Sequence, residues 1–149
     1  IQIAPIPVAS IGQSLTVGVQ ATASTVYQQN AAYGAAKAVD DDEHTRWATD
    51  ATTGPCWLEV DLGKPQTFDR ALIQECVDYG VRVKAFELQR KDDDGWKTIH
   101  RGKSVGENLE VTFEPVTARV VRLNITDGEG GPTIREFHLF APRANKASP

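Results

Sequence analysis

Ala38-Val39-Asp40-Asp41-Asp42-Glu43-His44-Thr45-Arg46-Trp47 and, nine residues on, Trp57-Leu58-Glu59-Val60-Asp61-Leu62-Gly63 are the two phrases from which the architecture of this chain can be worked out. The second alternates: Cys56, Leu58, Val60 and Leu62 share one face, with polar or wide side chains between them, as in a half-buried strand. It stops at Gly63-Lys64-Pro65, a turn signal. The first phrase is an acidic loop that runs into Arg46-Trp47. With Lys37 just before it, the loop gathers Lys37, Asp40, Asp42 and Thr45, and Glu136 is its one plausible distant partner, set between strand-like apolar positions near the C-terminus. Carboxylates, main-chain carbonyls and a hydroxyl make the oxygen cage that Ca2+ prefers, with six to eight oxygens at roughly 2.3–2.6 Å. A glutamate arriving from the far end of the chain would staple the fold. Taken alone, the acidic run also fits a solvated turn. An EF-hand is excluded, because Thr45 stands where that loop needs glycine and Ala51 where it needs glutamate.

Outward from these phrases the same period of two recurs. Leu15, Val17, Val19 and Ala21 share a face, as do Ala71, Ile73, Glu75 and Val77. Further strand-like runs cover Val81 to Arg90, Trp96 to His100, Leu109 to Phe113, Ala118 to Thr126 and Ile134 to Phe140. About eight short strands are predicted, separated by Gly63-Lys64-Pro65, Asp94-Gly95, Gly102, Glu114-Pro115 and the Gly128 to Pro132 loop, a rhythm of all-β sandwiches and barrels. Ala31 to Val39 is expected to form a helical turn. Trp47, Trp57 and Trp96 are expected to fill the core or the space between sheets. Lys91-Asp92-Asp93-Asp94-Gly95 predicts a hairpin turn in which Asp-Gly supplies positive φ angles. Asn124-Ile125-Thr126 matches a glycosylation acceptor but falls inside a predicted strand, so no function is ascribed to it. Cys56 and Cys76 permit a disulfide without establishing one; two buried thiols are the other outcome.

A length of 149 residues suits one domain, placed at residues 14–141, with an extended linker expected over 1–13 and a polar tail over 142–149. Net charge −4 and pI near 5.3 disfavour nucleic acid and anionic lipid, which need a basic footprint. No apolar run approaches the roughly 20 residues of a membrane span. The chain starts at Ile1, contains no methionine and opens with no signal-like segment, so it reads as a piece of something longer. Nucleophile elbow, phosphate-binding glycine loop, paired-cysteine zinc motif and His-Glu-x-x-His are all missing from the sequence, and His44, His100 and His138 are dispersed. No catalytic residues are expected.

The two opening phrases resemble the discoidin, or coagulation factor 5/8 type C, superfamily, which includes the family 32 carbohydrate-binding modules. Arg70 to Glu75, Gly80 to Phe86, Trp96 to Ile99, Val120 to Leu123 and Ile134 to Phe140 extend the likeness from about Thr22 to Ala141. The Gln74-Glu75 and Gly80-x-Arg82-Val83-x-Ala85-Phe86 pattern, followed by the Gly102 to Gly106 loop, is most similar to modules appended to bacterial family 29 α-L-fucosidases. The resemblance implies a galactose-binding-domain-like jelly-roll β-sandwich of antiparallel strands. It implies a structural Ca2+ held by the carbonyls of Lys37 and Asp42, the Asp40 carboxylate, Thr45 through hydroxyl and carbonyl, and Glu136. It also implies a non-catalytic, monomeric, carbohydrate-binding module serving the catalytic domain of a glycoside hydrolase, at an extracellular, cell-surface or periplasmic location. The histidine and arginine that galactose-binding relatives use are replaced by Ala48 and Glu75-Cys76. What the rim retains is Tyr33, Asp50, Glu75, Asp78, Tyr79, Arg82 and Asp127, suited to paired hydrogen bonds and stacking on a galactose- or fucose-containing glycan. Of these, Glu75, Tyr79, Arg82, Asp78 and Tyr33 are the sugar-binding candidates. The competing reading is a structural spacer that packs on a fucosidase-like catalytic domain and binds no sugar.

Overall fold

Two strands of twenty residues dominate the structure, a computed structural model that describes residues 13–50 and 55–143. In chain order the strands are β1 (Gln20–Ala23), β2 (Trp47–Ala48), β3 (Cys56–Glu75), β4 (Val83–Asp92), β5 (Gly95–Gly102), β6 (Leu109–Gly128) and β7 (Thr133–Phe140). β3 and β6 run antiparallel along their whole length, from Cys56 opposite Ile125 to Ile73 opposite Leu109. Each bends once. The register slips between Asp61 and Gln66, where Gly63 takes φ +84°, and again between Phe68 and Arg70, where β6 inserts residues around Glu114-Pro115. Glycine tolerates that angle and proline gives up a ladder donor, so bulges form at the positions where the sequence marks turns.

These bends divide the strand pair between two layers. The first half of β3 and the second half of β6 join β1, β4 and β5; the second half of β3 pairs with both the first half of β6 and β7, to which β2 is added. All these pairings are antiparallel. Inward side chains of both layers meet in one core, with Leu58, Val60, Phe86, Leu88, Val121 and Leu123 from the first and Ala71, Ile73, Phe137 and Leu139 from the second. The protein is an all-β sandwich, as its alternation predicts.

Several local expectations are corrected. Among the described residues the eight expected short strands become seven, because Gly63-Lys64-Pro65 and Glu114-Pro115 bend strands instead of ending them, while Trp47-Ala48 forms a short strand that the alternation does not reveal. Leu15 to Ala21 is no single strand: Gly18 at φ +78° turns the chain, its N–H donates to the Val39 carbonyl, and Val17 is exposed. Trp47 is fully buried, but Trp57 and Trp96 lie outside the core and sandwich the Arg122 guanidinium, whose carbon is 4.0 and 4.2 Å from their ring centres. In the β4–β5 hairpin only Gly95 has positive φ, because Asp93 and Asp94 form the turn and the Asp92 side chain accepts from Asp94 N–H. Cys56 and Cys76 are both buried free thiols. The helical turn expected over 31–39 appears as 3-10 turns at Ala31–Tyr33 and Ala35–Ala38. The linker and tail lie outside the described residues, apart from Gln13, Pro142 and Arg143. Among the described residues no helix is long and apolar enough to cross a membrane.

Candidate functional site

The acidic loop folds around one hydroxyl. Thr45 Oγ1 donates within reach of the Lys37 carbonyl at 3.4 Å, the Asp42 carbonyl at 3.0 Å and the Asp40 carboxylate at 2.5 Å. The carboxylate of Glu136, on β7, closes the group from the opposite end of the chain and accepts from Asp42 N–H at 3.2 Å; Asp40 accepts from the same N–H at 3.1 Å. Asp41, at φ +58°, makes the turn that points these groups inward. All five residues singled out from the sequence therefore surround a single point.

The electrostatics of that point invite a cation. Burial pushes the Glu136 carboxyl up to about 9, and the adjoining Asp40 carboxylate adds to the shift. Burial also opposes ionisation of Asp40, but hydrogen bonds from Glu136, Thr45 and Asp42 N–H prevail and hold it below the usual range. A dication held by both carboxylates would take the place of the proton they share, which would leave to solvent. Glu136 Oε2 is buried and makes no hydrogen bond among the described residues, with His138 Nε2 3.7 Å away. Among those residues no cluster of three or more His, Cys, Asp or Glu side chains forms. This set has two acidic side chains, and its other oxygens come from main-chain carbonyls and a hydroxyl. That composition fits a hard cation and excludes zinc chemistry.

A few residues away, where β3 and β6 end and β4 and β7 begin, four segments enclose a cavity of about 410 Å³. Tyr27 and Tyr33 come from the segment after β1, Arg46, Ala48 and Thr49 from the β2 region, Tyr79 and Arg82 from the β3–β4 connection, and Gly130 and Thr133 from the β6–β7 connection. Tyr27 and Tyr33 meet edge to face at 5.6 Å. The Arg46 guanidinium lies 5.0 Å from the Tyr33 ring centre and 5.3 Å from that of Tyr79, and that of Arg82 lies 5.4 Å from the Tyr79 ring centre. Tyr79 remains 57% exposed, leaving ring surface for a ligand. The walls are fixed from behind: Arg82 Nη1 donates to the Gly131 carbonyl, and Thr49 Oγ1 donates to the Pro132 carbonyl. Gly131 has φ +82° and passes so near Thr49 that a Cβ there would lie 2.7 Å from its carbonyl oxygen.

Of the sugar-binding candidates, Tyr33, Tyr79 and Arg82 line this cavity together. Glu75 is absent from it. It is fully buried, and its carboxylate accepts from the N–H groups of Arg82, Val83 and Gly106, so it braces the loop that carries Tyr79 and Arg82. Asp78 points into a separate groove with Glu43, His44, Cys76, Glu107 and Arg135. Asp50 lies at a neighbouring hollow of about 490 Å³, where its carboxylate is taken up by Thr25 Oγ1 and Gln28 N–H. The tyrosine-lined cavity is thus the better binding candidate, although it is the smaller. Sequence reasoning passed over Tyr27 and Arg46. For Arg46 the sequence held no sufficient signal, because its place at the rim depends on how the cation loop before it and the strand after it fold together.

The F5/8 type C domain profile matches residues 20–137. A rice protein (Oryza sativa subsp. japonica) named "Putative alpha-L-fucosidase 1" is 25% identical over 130 residues, which are 86% of this chain and 25% of that one. The chain spans about a quarter of the length of this curated relative. Among solved structures, the Ruminococcus gnavus GH29 fucosidase in complex with fucose superposes with a TM-score of 0.78 at 26% identity, over 88% of this chain and 27% of that one. Chitosan-binding module 1, derived from a chitosanase/glucanase of Paenibacillus sp. IK-5, superposes with a TM-score of 0.78 at 27% identity, over 87% of this chain and 99% of the module.

Proposed function

That the chain belongs to the F5/8 type C domain family is the premise from which we propose that it is a non-catalytic carbohydrate-binding module. In this reading it serves a longer glycoside hydrolase of the α-L-fucosidase kind, outside the cell, on its surface or in the periplasm. The tyrosine-lined cavity carries the proposal. Three aromatic side chains provide faces for the C–H surface of a pyranose, two guanidinium groups provide paired donors, and the main-chain oxygens of the rim provide acceptors. The similarity to a chitosan-binding module derived from a chitosanase/glucanase supports a domain that binds sugar without chemistry of its own. The similarity to fucosidases much longer than this chain supports a catalytic partner in the same polypeptide.

Calcium has a structural part in this proposal. Lys37, Asp40, Asp42, Thr45 and Glu136 would hold it, and the ion would fasten the loop to β7 while the neighbouring Arg46 is carried to the rim. Contact with an open rim buries little ligand, so each site binds weakly and attachment to a glycan-rich surface relies on several contacts at once. Titration of the isotope-labelled domain with fucosylated and galactosylated oligosaccharides is expected to move resonances of Tyr79, Tyr33 and Arg82, and Tyr79→Ala is expected to abolish the response. A flat titration across a broad glycan panel would refute the reading.

A further inference from the structure

The cavity's charge is unlike that of the whole chain. The protein carries net charge −4, yet the residues that line this cavity include two arginines and no carboxylate. Neither Arg46 nor Arg82 makes a salt bridge with an acidic side chain among the described residues, as Arg70, Arg90, Arg101, Arg119 and Arg122 do; Arg135, outside the cavity, is likewise without one. Arg82 spends one donor on the Gly131 carbonyl. Arg46 makes no hydrogen bond among those residues, and its Nε is buried. That one buried donor lacks a partner, while the two Nη groups stay accessible to water and so to a ligand. Arg46 also borders a separate groove with Glu43, Asp78 and Glu107, whereas no carboxylate lines the tyrosine cavity itself.

We propose, building on the carbohydrate-binding reading, that the cavity prefers a sugar bearing an anionic oxygen group. Arg46 would supply a fork to that carboxylate or sulfate, with Arg82 as the second cation, while Tyr79 carries the ring. One planar fork matches two anionic oxygens at once, and a second guanidinium adds positive charge that neutral hydroxyls leave uncompensated. Tyr79 lies within cation–π distance of both guanidinium groups, which holds the two cations beside the ring that would carry the sugar.

The test is a titration, at constant calcium, with lactose, 2′-fucosyllactose, 3′-sialyllactose, lactose 3′-sulfate and digalacturonic acid. Three of these are anionic. The expected result is binding of at least one anionic probe about tenfold tighter than lactose, weakened by added salt, with the order among the three telling carboxylate from sulfate ester. Arg46→Gln is expected to collapse the ratio of anionic to neutral affinity toward one while leaving the melting temperature in place, and Arg46→Lys to restore only part of that ratio. Neutral probes binding as well as anionic ones, without salt dependence, would overturn the anion preference and leave the glycan reading standing. Silence of the cavity resonances with all five probes would count against both.

Discussion

Replacing Asp40 or Glu136 tests the cation loop most directly, because the structure gives the two carboxylates different states in the absence of metal. Glu136, pushed up to about 9, is protonated at neutral pH and shares its proton with Asp40. Glu136→Gln imitates the protonated side chain, so in EDTA it is expected to match the wild-type melting temperature below about pH 4.5 and to exceed it at pH 7, where the wild-type unfolded state gains by ionising. With calcium the order should reverse. At free calcium about one hundredfold above its Kd the wild-type domain gains about 2.7 kcal/mol, which at 2–4 °C per kcal/mol for a domain of this size raises the midpoint by roughly 5–11 °C. Asp40→Ala and Glu136→Gln should each abolish that rise. The pH dependence has a definite sign. The folded pKa of Glu136 exceeds its unfolded value near 4.5, so the stability it contributes without metal is complete below that value and drains away as pH climbs toward 9. Calcium takes the ionised carboxylate, so the calcium-dependent rise should grow across the same window, and binding at pH 7 should release close to one proton. Differential scanning fluorimetry across pH, with calorimetry in buffers of different ionisation enthalpy, reads all of this. A calcium shift that survives both substitutions, or a wild-type midpoint indifferent to calcium and EDTA, would refute the ligand set.

Three further substitutions or reagents probe the frame around the site. Glu75→Ala strands three main-chain N–H groups and should cost about 3 kcal/mol or more in urea unfolding, with sharpened, shifted resonances along residues 77–83 as the loop loosens. Arg122→Ala removes the cation held between Trp57 and Trp96 and should cost about 1–2 kcal/mol, with tryptophan emission moving to the red as both rings gain water. Cys56, whose thiol burial pushes up to about 11, should resist alkylation at pH 8 in the native protein and react fully in urea.

The alternation of Cys56 to Leu62 and of Ala71 to Ile73 made the sandwich legible, because one buried face forces a period of two whatever the loops do. It also held a clue that the site assignment overrode. Glu75 continues the inward face of Ala71 and Ile73, and the structure keeps it there, fully buried against backbone donors. A carboxylate in the inward phase of a strand meets either a partner charge or main-chain N–H groups, so the phase alone argued for a brace. The breaks were harder to read. Glycine and proline announce a change of backbone direction, and a bulge inside a continuous ladder needs the same residues as a turn. Which of the two forms depends on whether the flanking residues find partners, and Gln66 to Phe68 find theirs on β6 some fifty residues away. The cation loop lies close together in sequence except for Glu136, whereas the cavity draws on four separate segments. Arg46 could be placed at the rim only once the loop before it and the strand after it had both been fixed, and so the residue on which the charge preference turns is the one that depends most on tertiary structure.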